Sequence, residues 1–363
     1  AANEVFDPTV GWQGLPATTN LPLYPQLLLL QDGRVFYTGG QLGNATIDGR
    51  AIDVTTGAEE AVSGLRDKDT RDQGNSILLP PAQEQRVMVI GGSGSPAATN
   101  HTDIIDLAAG PTGATFAPGP DLARARGLSN SVILPDRTVL ITGGGLHGET
   151  RADAVHLAEI YDPASNTMRS VAEASVSRLY HSVALLLPDG RVATAGSNPD
   201  RGDDELRIEL FHPPYLFRGP RPVLLGAPTE WTYGSTMEIS APSAMSIRWA
   251  ELIRPMATTH SGDSSQRLVD LPIICRDACT LTVSLPDNPN LAPPGWYMLF
   301  IVDDCGIPSS ALWVHLAHPK PSPPVVHATE HVMHGGHEHL PAFDIPGLPR
   351  RRPPRTRRRS ARH

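Results

Sequence analysis

The sequence has few of the residues that build membrane spans and disulfide scaffolds. Its 363 residues include only 3 cysteines, and aromatic residues make up 5% of the chain. Three cysteines are too few for a disulfide scaffold, and no apolar run reaches the ~18 residues of a membrane-spanning helix. Cys275 and Cys279 lack a second Cys/His pair at ligand spacing, which disfavours a zinc site. A small disulfide loop and free thiols both remain open for this pair.

Glycine and proline are abundant instead. The chain has 33 Gly and 36 Pro, a composition that favours many short strands and turns over long helices. Charge is distributed unevenly. The net charge is −8, but from residue 320 onward nine Lys or Arg face three Asp or Glu, a balance of +6 that leaves −14 on the rest. So acidic a body is not expected to bind nucleic acid or an anionic membrane.

Four segments share one plan of apolar strand, Pro/Asp turn, second apolar strand and glycine stop. They occupy residues 23–40, 72–92, 126–144 and 178–196, and the stops recur about every 52 residues. Strand pairs at this period predict a Kelch-type β-propeller with one four-stranded blade per repeat. The segments between the repeats supply outer strands, such as residues 4–8 and 159–163, where Asp-Pro marks a turn.

We therefore predict an all-β chain in three parts. Residues 1–220 form propeller blades, apparently incomplete at the N-terminus. Residues 221–317 form a small β-sandwich, with strands near 236–240, 246–252, 268–271, 280–284 and 297–302. Residues 318–363 are rich in Pro, His and Arg and are predicted to be disordered, since they cannot bury enough apolar surface. The tail histidines fit a solvated segment better than a metal-capturing one, and the arginine run stays unassigned.

The candidate site is carried by adjacent residues at the start of the fourth repeat and one residue in the sandwich. Tyr180 and His181 precede a strand-turn-strand unit, and His260 lies downstream. Two imidazoles and a phenol suit redox-active copper. Neighbouring strand residues point to opposite faces, so Tyr180 and His181 can share a metal only at a strand end or bulge. The alternatives are a polar pair lining an empty channel and a surface-loop histidine.

These stretches resemble the copper-radical oxidases, the galactose oxidase and glyoxal oxidase group. The resemblance covers roughly residues 4–317, and its motifs stand in order at residues 178–191, 211–216, 259–267 and 294–309. It implies a seven-bladed propeller, an immunoglobulin-like early-set domain and one copper ion. In this resemblance Tyr180 is the axial, catalytic ligand. His181 and His260 are equatorial ligands, and His260 is delivered by a sandwich loop inserted into the propeller.

The resemblance also implies a second tyrosine, thioether-bonded to a cysteine, as the radical partner of copper. This sequence does not encode that Tyr-Cys cofactor, because Cys275, Cys279 and Cys305 all fall in the predicted sandwich. Tyr24 opens the first repeat, but it is disfavoured as a substitute because it lies in a different blade and has no cysteine to bond. Either the sequence is a piece of a longer protein or it has lost radical chemistry. Its start in an outer strand favours the first explanation.

Two functions follow as hypotheses. The first is a secreted copper-radical oxidase, or its C-terminal portion, which oxidises small aldehydes or primary alcohols with O2 and releases H2O2. The alternative is a catalytically inactive propeller and sandwich protein that binds glycans or cell-wall surfaces, with or without copper. The sequence shows no aromatic row that supports this alternative. It leaves the substrate and the oligomeric state open.

Overall fold

The structure is a computed structural model that describes residues 3–15, 18–42, 45–93 and 97–317. The predicted disordered tail, residues 318–363, lies outside the described residues. Within the described ranges the regular structure is β-strand and short 3-10 helix, with no α-helix, as predicted. The 3-10 helices are Lys68–Thr70, Ala82–Glu84, Arg151–Asp153, Pro199–Arg201, Pro214–Phe217 and Ala244–Ser246.

A two-stranded antiparallel sheet comes first and blade 1 follows it. The first sheet pairs β1 (Asn3–Asp7) with β2 (Gly11–Leu15), where an outer strand was predicted. Blade 1 has the strand order β3-β4-β7-β8, with a separate hairpin of β5 and β6. Its strands are β3 (Leu27–Leu29), β4 (Val35–Tyr37), β5 (Gly40–Leu42), β6 (Ala45–Ile47), β7 (Arg50–Ile52) and β8 (Glu59–Ala61).

Three further sheets complete the propeller region. Blades 2 and 3 have four strands each, whereas blade 4 has three in the described chain rather than the predicted four. Blade 2 contains β9 (Asn75–Leu78), β10 (Arg86–Ile90), β11 (Thr102–Asp106) and β12 (Ala117–Pro118). Blade 3 contains β13 (Gly127–Ile133), β14 (Val139–Gly145), β15 (Leu157–Asp162) and β16 (Thr167–Glu173). Blade 4 contains β17 (Val183–Leu186), β18 (Val192–Ala195) and β19 (Glu209–Phe211).

The glycine stops are required by close backbone approaches. Gly143 has φ +71, and a Cβ there would lie 2.7 Å from the carbonyl oxygen of Arg178, at the start of the next blade. Gly196 has φ +67, and a Cβ there would lie 2.7 Å from the carbonyl oxygen of His181. Only glycine combines this left-handed conformation with so little space. The repeated stop therefore fixes where each second strand meets the start of a first strand.

A buried arginine joins the strands within each of blades 2, 3 and 4. In blade 3, Arg126 donates to the carbonyl of Leu157 at 2.9 Å and to Glu159 Oε2 at 2.7 Å. Both side chains of this ion pair are almost fully buried. We call this element the Arg–acid bridge. The equivalent pairs are Arg71 with Asp103 and Arg178 with Glu209.

The sandwich has two sheets, of strand orders β20-β27-β26-β22-β23 and β21-β25-β24. Its core is apolar and includes Trp231, whose indole Nε1 donates to the carbonyl of Pro228. Polar residues of the predicted strands point away from this core, as expected for half-buried sheets. The strands are β20 (Glu230–Trp231), β21 (Thr236–Ser240), β22 (Ile247–Ile253), β23 (Leu268–Leu271), β24 (Ile273–Arg276), β25 (Thr280–Ser284), β26 (Gly295–Asp303) and β27 (Leu312–Leu316).

Blade 3 and the sandwich meet in one compact unit through both apolar and charged contacts. Ile253, Leu268 and Phe300 belong to the same core cluster as the strands of blades 2 to 4. Arg137, in the β13–β14 turn, donates from Nε to Glu251 Oε2 at 3.0 Å and from Nη2 to Asp270. Burial raises the pKa of Glu251 to about 8, which Arg137 partly opposes. The interface therefore contains a carboxyl group that retains its proton near neutral pH.

Replacing Glu251 with glutamine is expected to make the protein more stable, relative to wild type, at alkaline pH than at acidic pH. Above its ordinary pKa of 4.5 the unfolded glutamate loses its proton, whereas the folded one holds it to about pH 8. The stability contributed by protonated Glu251 is therefore complete below about pH 4.5 and is lost as pH rises toward 8. Glutamine does not titrate and still accepts from Arg137. Thermal unfolding measures the free energy of unfolding of both proteins. The value for Glu251→Gln minus the value for wild type should be larger at pH 8 than at pH 5, by at least about 1 kcal/mol.

The control for this experiment is Glu238→Gln, because Glu238 is exposed on β21. Its difference in Tm from wild type should stay constant over the same pH range. A Glu251→Gln difference that is equally constant would contradict the buried, protonated state of this carboxyl group.

Candidate metal centre

Tyr180 and His181 lie in the turn immediately before β17, which is the strand end that shared metal binding requires. His181 has a left-handed φ of 60°, so the usual alternation of side chains is broken at this point. The two rings stack with centroids 3.8 Å apart and planes inclined by 27°. Both side chains therefore lie on the same side of the turn, where they can bind one metal ion.

Backbone and side-chain hydrogen bonds hold this turn. The carbonyl of Tyr180 accepts from the backbone N–H of Asn198 at 2.8 Å. The N–H of Leu179 donates to Ser197 Oγ at 2.8 Å. Ser182 Oγ accepts from Asn130 Nδ2 at 3.0 Å, which joins the turn to blade 3. These bonds fix the turn without using the ring atoms of Tyr180 or His181.

His260 reaches the same place on a loop between β22 and β23 of the sandwich. The loop is fixed against the first strands of the blades, because Asn75 donates to the carbonyl of Ser261 and Gln266 Oε1 accepts from the N–H of Ile133 at 2.6 Å. Gln266 Nε2 also donates to the carbonyl of Ser131 at 3.1 Å. A sandwich loop thus packs against blades 2 and 3 and carries the histidine.

The structure brings all three predicted residues together. The ring centroids of His181 and His260 are 5.2 Å apart with planes at 81°. Those of Tyr180 and His260 are 5.6 Å apart with planes at 63°. Thr259 Oγ1 is 2.8 Å from His260 Nδ1, so the other ring nitrogen, Nε2, is available to a ligand. Hydrogen bonding at one nitrogen commonly fixes the orientation of a metal-binding histidine.

Two further residues adjoin this group. The ring of Tyr24 stacks on His260 with centroids 3.9 Å apart and planes inclined by 7°. The guanidinium of Arg201 lies 5.5 Å from the ring centroid of Tyr180 and donates to Glu149 Oε1 at 2.8 Å. One sequence signal pointed to Tyr24, because Leu-Tyr opens both repeat 1 and repeat 4. Nothing in the sequence singled out Arg201.

We call Tyr24, Tyr180, His181 and His260 the ring cluster. Burial raises the pKa of Tyr180, the neighbouring Tyr24 phenol adds to this rise, and Arg201 opposes it. Burial lowers the pKa of His260, and the charge of His181 lowers it further. The metal-free cluster therefore favours a neutral His260 and a protonated Tyr180. A neutral imidazole is the form that binds a metal.

The donor set of the ring cluster fits copper. Imidazole nitrogens with a phenol oxygen suit the tetragonal N,O coordination of Cu(II). Across the described ranges, no group of three or more His, Cys, Asp or Glu side chains is placed to hold a metal ion. The three cysteines are free and exposed on the sandwich, and they do not supply a cysteine partner in the blades. Nor does any helix of the described residues have the length and apolarity to cross a membrane.

Comparison with known proteins identifies the family of the chain. Residues 16–215 match the family described as Glyoxal oxidase N-terminus, and residues 221–316 match the Galactose oxidase-like, Early set domain. A Gibberella zeae protein named Galactose oxidase is 29% identical over 336 residues, 85% of this chain and 49% of its own. A Vitis pseudoreticulata protein named Aldehyde oxidase GLOX is 34% identical over 222 residues, 54% of this chain and 42% of its own.

A solved structure shows the same fold. A fungal alcohol oxidase in complex with copper has a TM-score of 0.76 at 24% identity, and the match covers 87% of this chain and 70% of that one. The match to the Glyoxal oxidase N-terminus and to the Galactose oxidase-like, Early set domain assigns the chain to the galactose oxidase-like class of copper-radical oxidases. Within this class, the chain belongs to the glyoxal oxidase family. It spans about half or less of the length of these curated relatives.

Proposed function

We propose that this chain is the copper-binding portion of a secreted copper-radical oxidase that converts small aldehydes or primary alcohols with O2 and releases H2O2. The observation that carries the proposal is the convergence of Tyr180, His181 and His260 from two domains. The relatives named Galactose oxidase and Aldehyde oxidase GLOX support the substrate class. Secretion is inferred from the family alone.

His181 and His260 would hold copper through their ring nitrogens, with Tyr180 as the third ligand. When bound, copper supplies one of the two oxidising equivalents that conversion of an alcohol to an aldehyde requires. Once metal binding has removed its own proton, the Tyr180 Oη would act as the general base that accepts the proton of a substrate hydroxyl. The exposure of His181 and Tyr24 leaves the cluster accessible to a small substrate and to O2.

Copper titration followed by EPR tests the metal site. The histidine-rich tail also offers copper ligands, so the titration is run with its seven histidines replaced by asparagine, at positions 318, 327, 331, 334, 337, 339 and 363. We expect one Cu(II) per chain, with hyperfine coupling to two imidazole nitrogens. If no such signal forms in the folded protein, the proposal is wrong.

Peroxide production should separate copper binding from turnover. We expect the copper-loaded 363-residue chain to release little H2O2 from glyoxal or primary alcohols, because the sequence encodes no cysteine outside the sandwich to form the family's radical cofactor. A peroxidase-coupled assay measures this directly, with a complete family oxidase as the positive control. Robust turnover by the purified chain would overturn our account of the missing cofactor.

One observation favours glycan binding as a second candidate function. Trp296 and Trp313, on the paired strands β26 and β27, are 50% and 44% exposed. Their register places them diagonally on one outward face of the sheet, beside His315. Exposed aromatic rings are apolar surfaces on which sugar rings pack. Carbohydrate binding that withstands both a chelator and Tyr180→Phe would identify this function as separate from the metal centre.

A further inference from the structure

Each blade starts with one non-glycine residue in the left-handed conformation. These residues precede or begin the first strands and have φ values between 51° and 60°: Tyr24, Gln73, Leu128 and His181. The position is thus a repeated feature of the fold. In blades 1 and 4 it holds an aromatic ring that belongs to the ring cluster.

A tyrosine in this conformation needs an explanation. Bulky residues at positive φ are uncommon, and strained backbone persists where its surroundings determine it. The Tyr24 side chain is 48% exposed, so core packing alone does not determine its position. Its ring nevertheless lies flat on His260, with planes inclined by only 7°.

The same segment of blade 1 also contacts the loop that carries His260. A Cβ added to Gly262 would lie 2.7 Å from Gln26 Nε2, so the Gln26 side chain packs directly against the backbone of the loop. His260 and Ser261 both have left-handed φ values, 48° and 66°. The loop is therefore tightly turned where the Tyr24 ring covers His260.

We propose that Tyr24 is a positioning residue that fixes the imidazole of His260 through ring stacking. The inference rests on the proposed function in that copper is the metal. Fixing the imidazole before the metal binds reduces the ordering that binding would otherwise require. An aromatic pair contributes an amount that corresponds to about 2–10-fold in a binding constant. Tyr24 therefore stabilises the metal site without touching the metal.

The test compares Tyr24→Phe, which keeps the ring, with Tyr24→Ala, which removes it, in the full chain with the tail histidines replaced. We expect the copper affinity to stay within about 2-fold of wild type for Tyr24→Phe and to fall by up to about 10-fold for Tyr24→Ala. The nitrogen hyperfine pattern in the EPR spectrum of Tyr24→Ala should also broaden. Phe217→Ala, which removes an exposed aromatic ring elsewhere, is the control and should change neither quantity.

An NMR measurement on the metal-free protein distinguishes the positioning role of Tyr24 from the proposed oxidase function. The ring protons of His260 should be shifted upfield by the stacked ring in wild type and Tyr24→Phe, and this shift should vanish in Tyr24→Ala. If this pattern appears but no variant binds copper, stacking is supported and the oxidase function is wrong. If Tyr24→Phe loses as much affinity as Tyr24→Ala, or if Tyr24→Ala leaves the His260 resonances unchanged, the positioning role is overturned.

Discussion

Replacing His260 or His181 with alanine is expected to abolish the specific copper signal. Each imidazole is one of the two nitrogen donors that the ring cluster offers, and the two rings meet edge to face with centroids 5.2 Å apart. Loss of an outer-shell partner of a metal ligand typically costs about 10–100-fold in affinity. Loss of the ligand itself should therefore reduce copper affinity by more than about 100-fold. EPR-monitored titration, with the tail histidines replaced, measures the effect.

Two controls make this result specific. His212→Ala removes a histidine that lies at the end of blade 4 beside Phe217 and outside the ring cluster, and it should bind copper as wild type does. Tyr180→Phe keeps both imidazoles, so the nitrogen hyperfine coupling should remain while the absorption of a phenolate bound to Cu(II) disappears. A full copper signal in both histidine variants would place the metal elsewhere and contradict the proposed function.

The repeat period predicts most of the fold, because each blade is formed by residues close together in sequence. An apolar strand, a turn and a second apolar strand are encoded within about 20 residues, so β13 and β14 could be located from residues 126–144 alone. The predicted strands at Thr236–Ser240, Leu268–Leu271 and Thr280–Ser284 agree with the observed bounds. Strand β20 has only two residues, too few for a pattern. Strand β24 is an exposed edge strand whose sequence, Ile-Ile-Cys-Arg, has no alternation of apolar and polar residues.

The metal site was predictable only in part, since it depends on contacts between distant segments. Tyr180 and His181 are adjacent in sequence, but their pairing with His260 came from the family resemblance. Sequence context disfavours Tyr24, which lies in a different blade from the family's radical tyrosine and has no cysteine to bond, whereas the structure places its ring on His260. Arg201 lies over Tyr180 because of a short loop with left-handed residues. Neither a repeat period nor a residue spacing in the sequence indicates such a contact.

The stability of the blades is expected to depend strongly on the Arg–acid bridges, and Arg126→Ala tests this. The guanidinium of Arg126 and the carboxylate of Glu159 are 0% and 1% exposed. Burial lowers the pKa of Arg126 to about 10, and Glu159 opposes that change. Removing the arginine leaves a buried carboxylate without its partner. Such a change typically costs about 3–5 kcal/mol, and calorimetry should show a Tm lower by several degrees.

Arg191→Ala is the matched control, because Arg191 pairs with Asp189 on the surface and exposed pairs contribute at most about 1 kcal/mol. The double variant Arg126→Met with Glu159→Leu removes both charges while retaining volume. It should recover much of the lost stability, since apolar replacement of a buried pair is often neutral. The N–H of Ala123, which donates to Glu159 at 2.8 Å, would then lack its acceptor and limit the recovery. If Arg126→Ala costs no more than Arg191→Ala, the bridge does not hold blade 3 together.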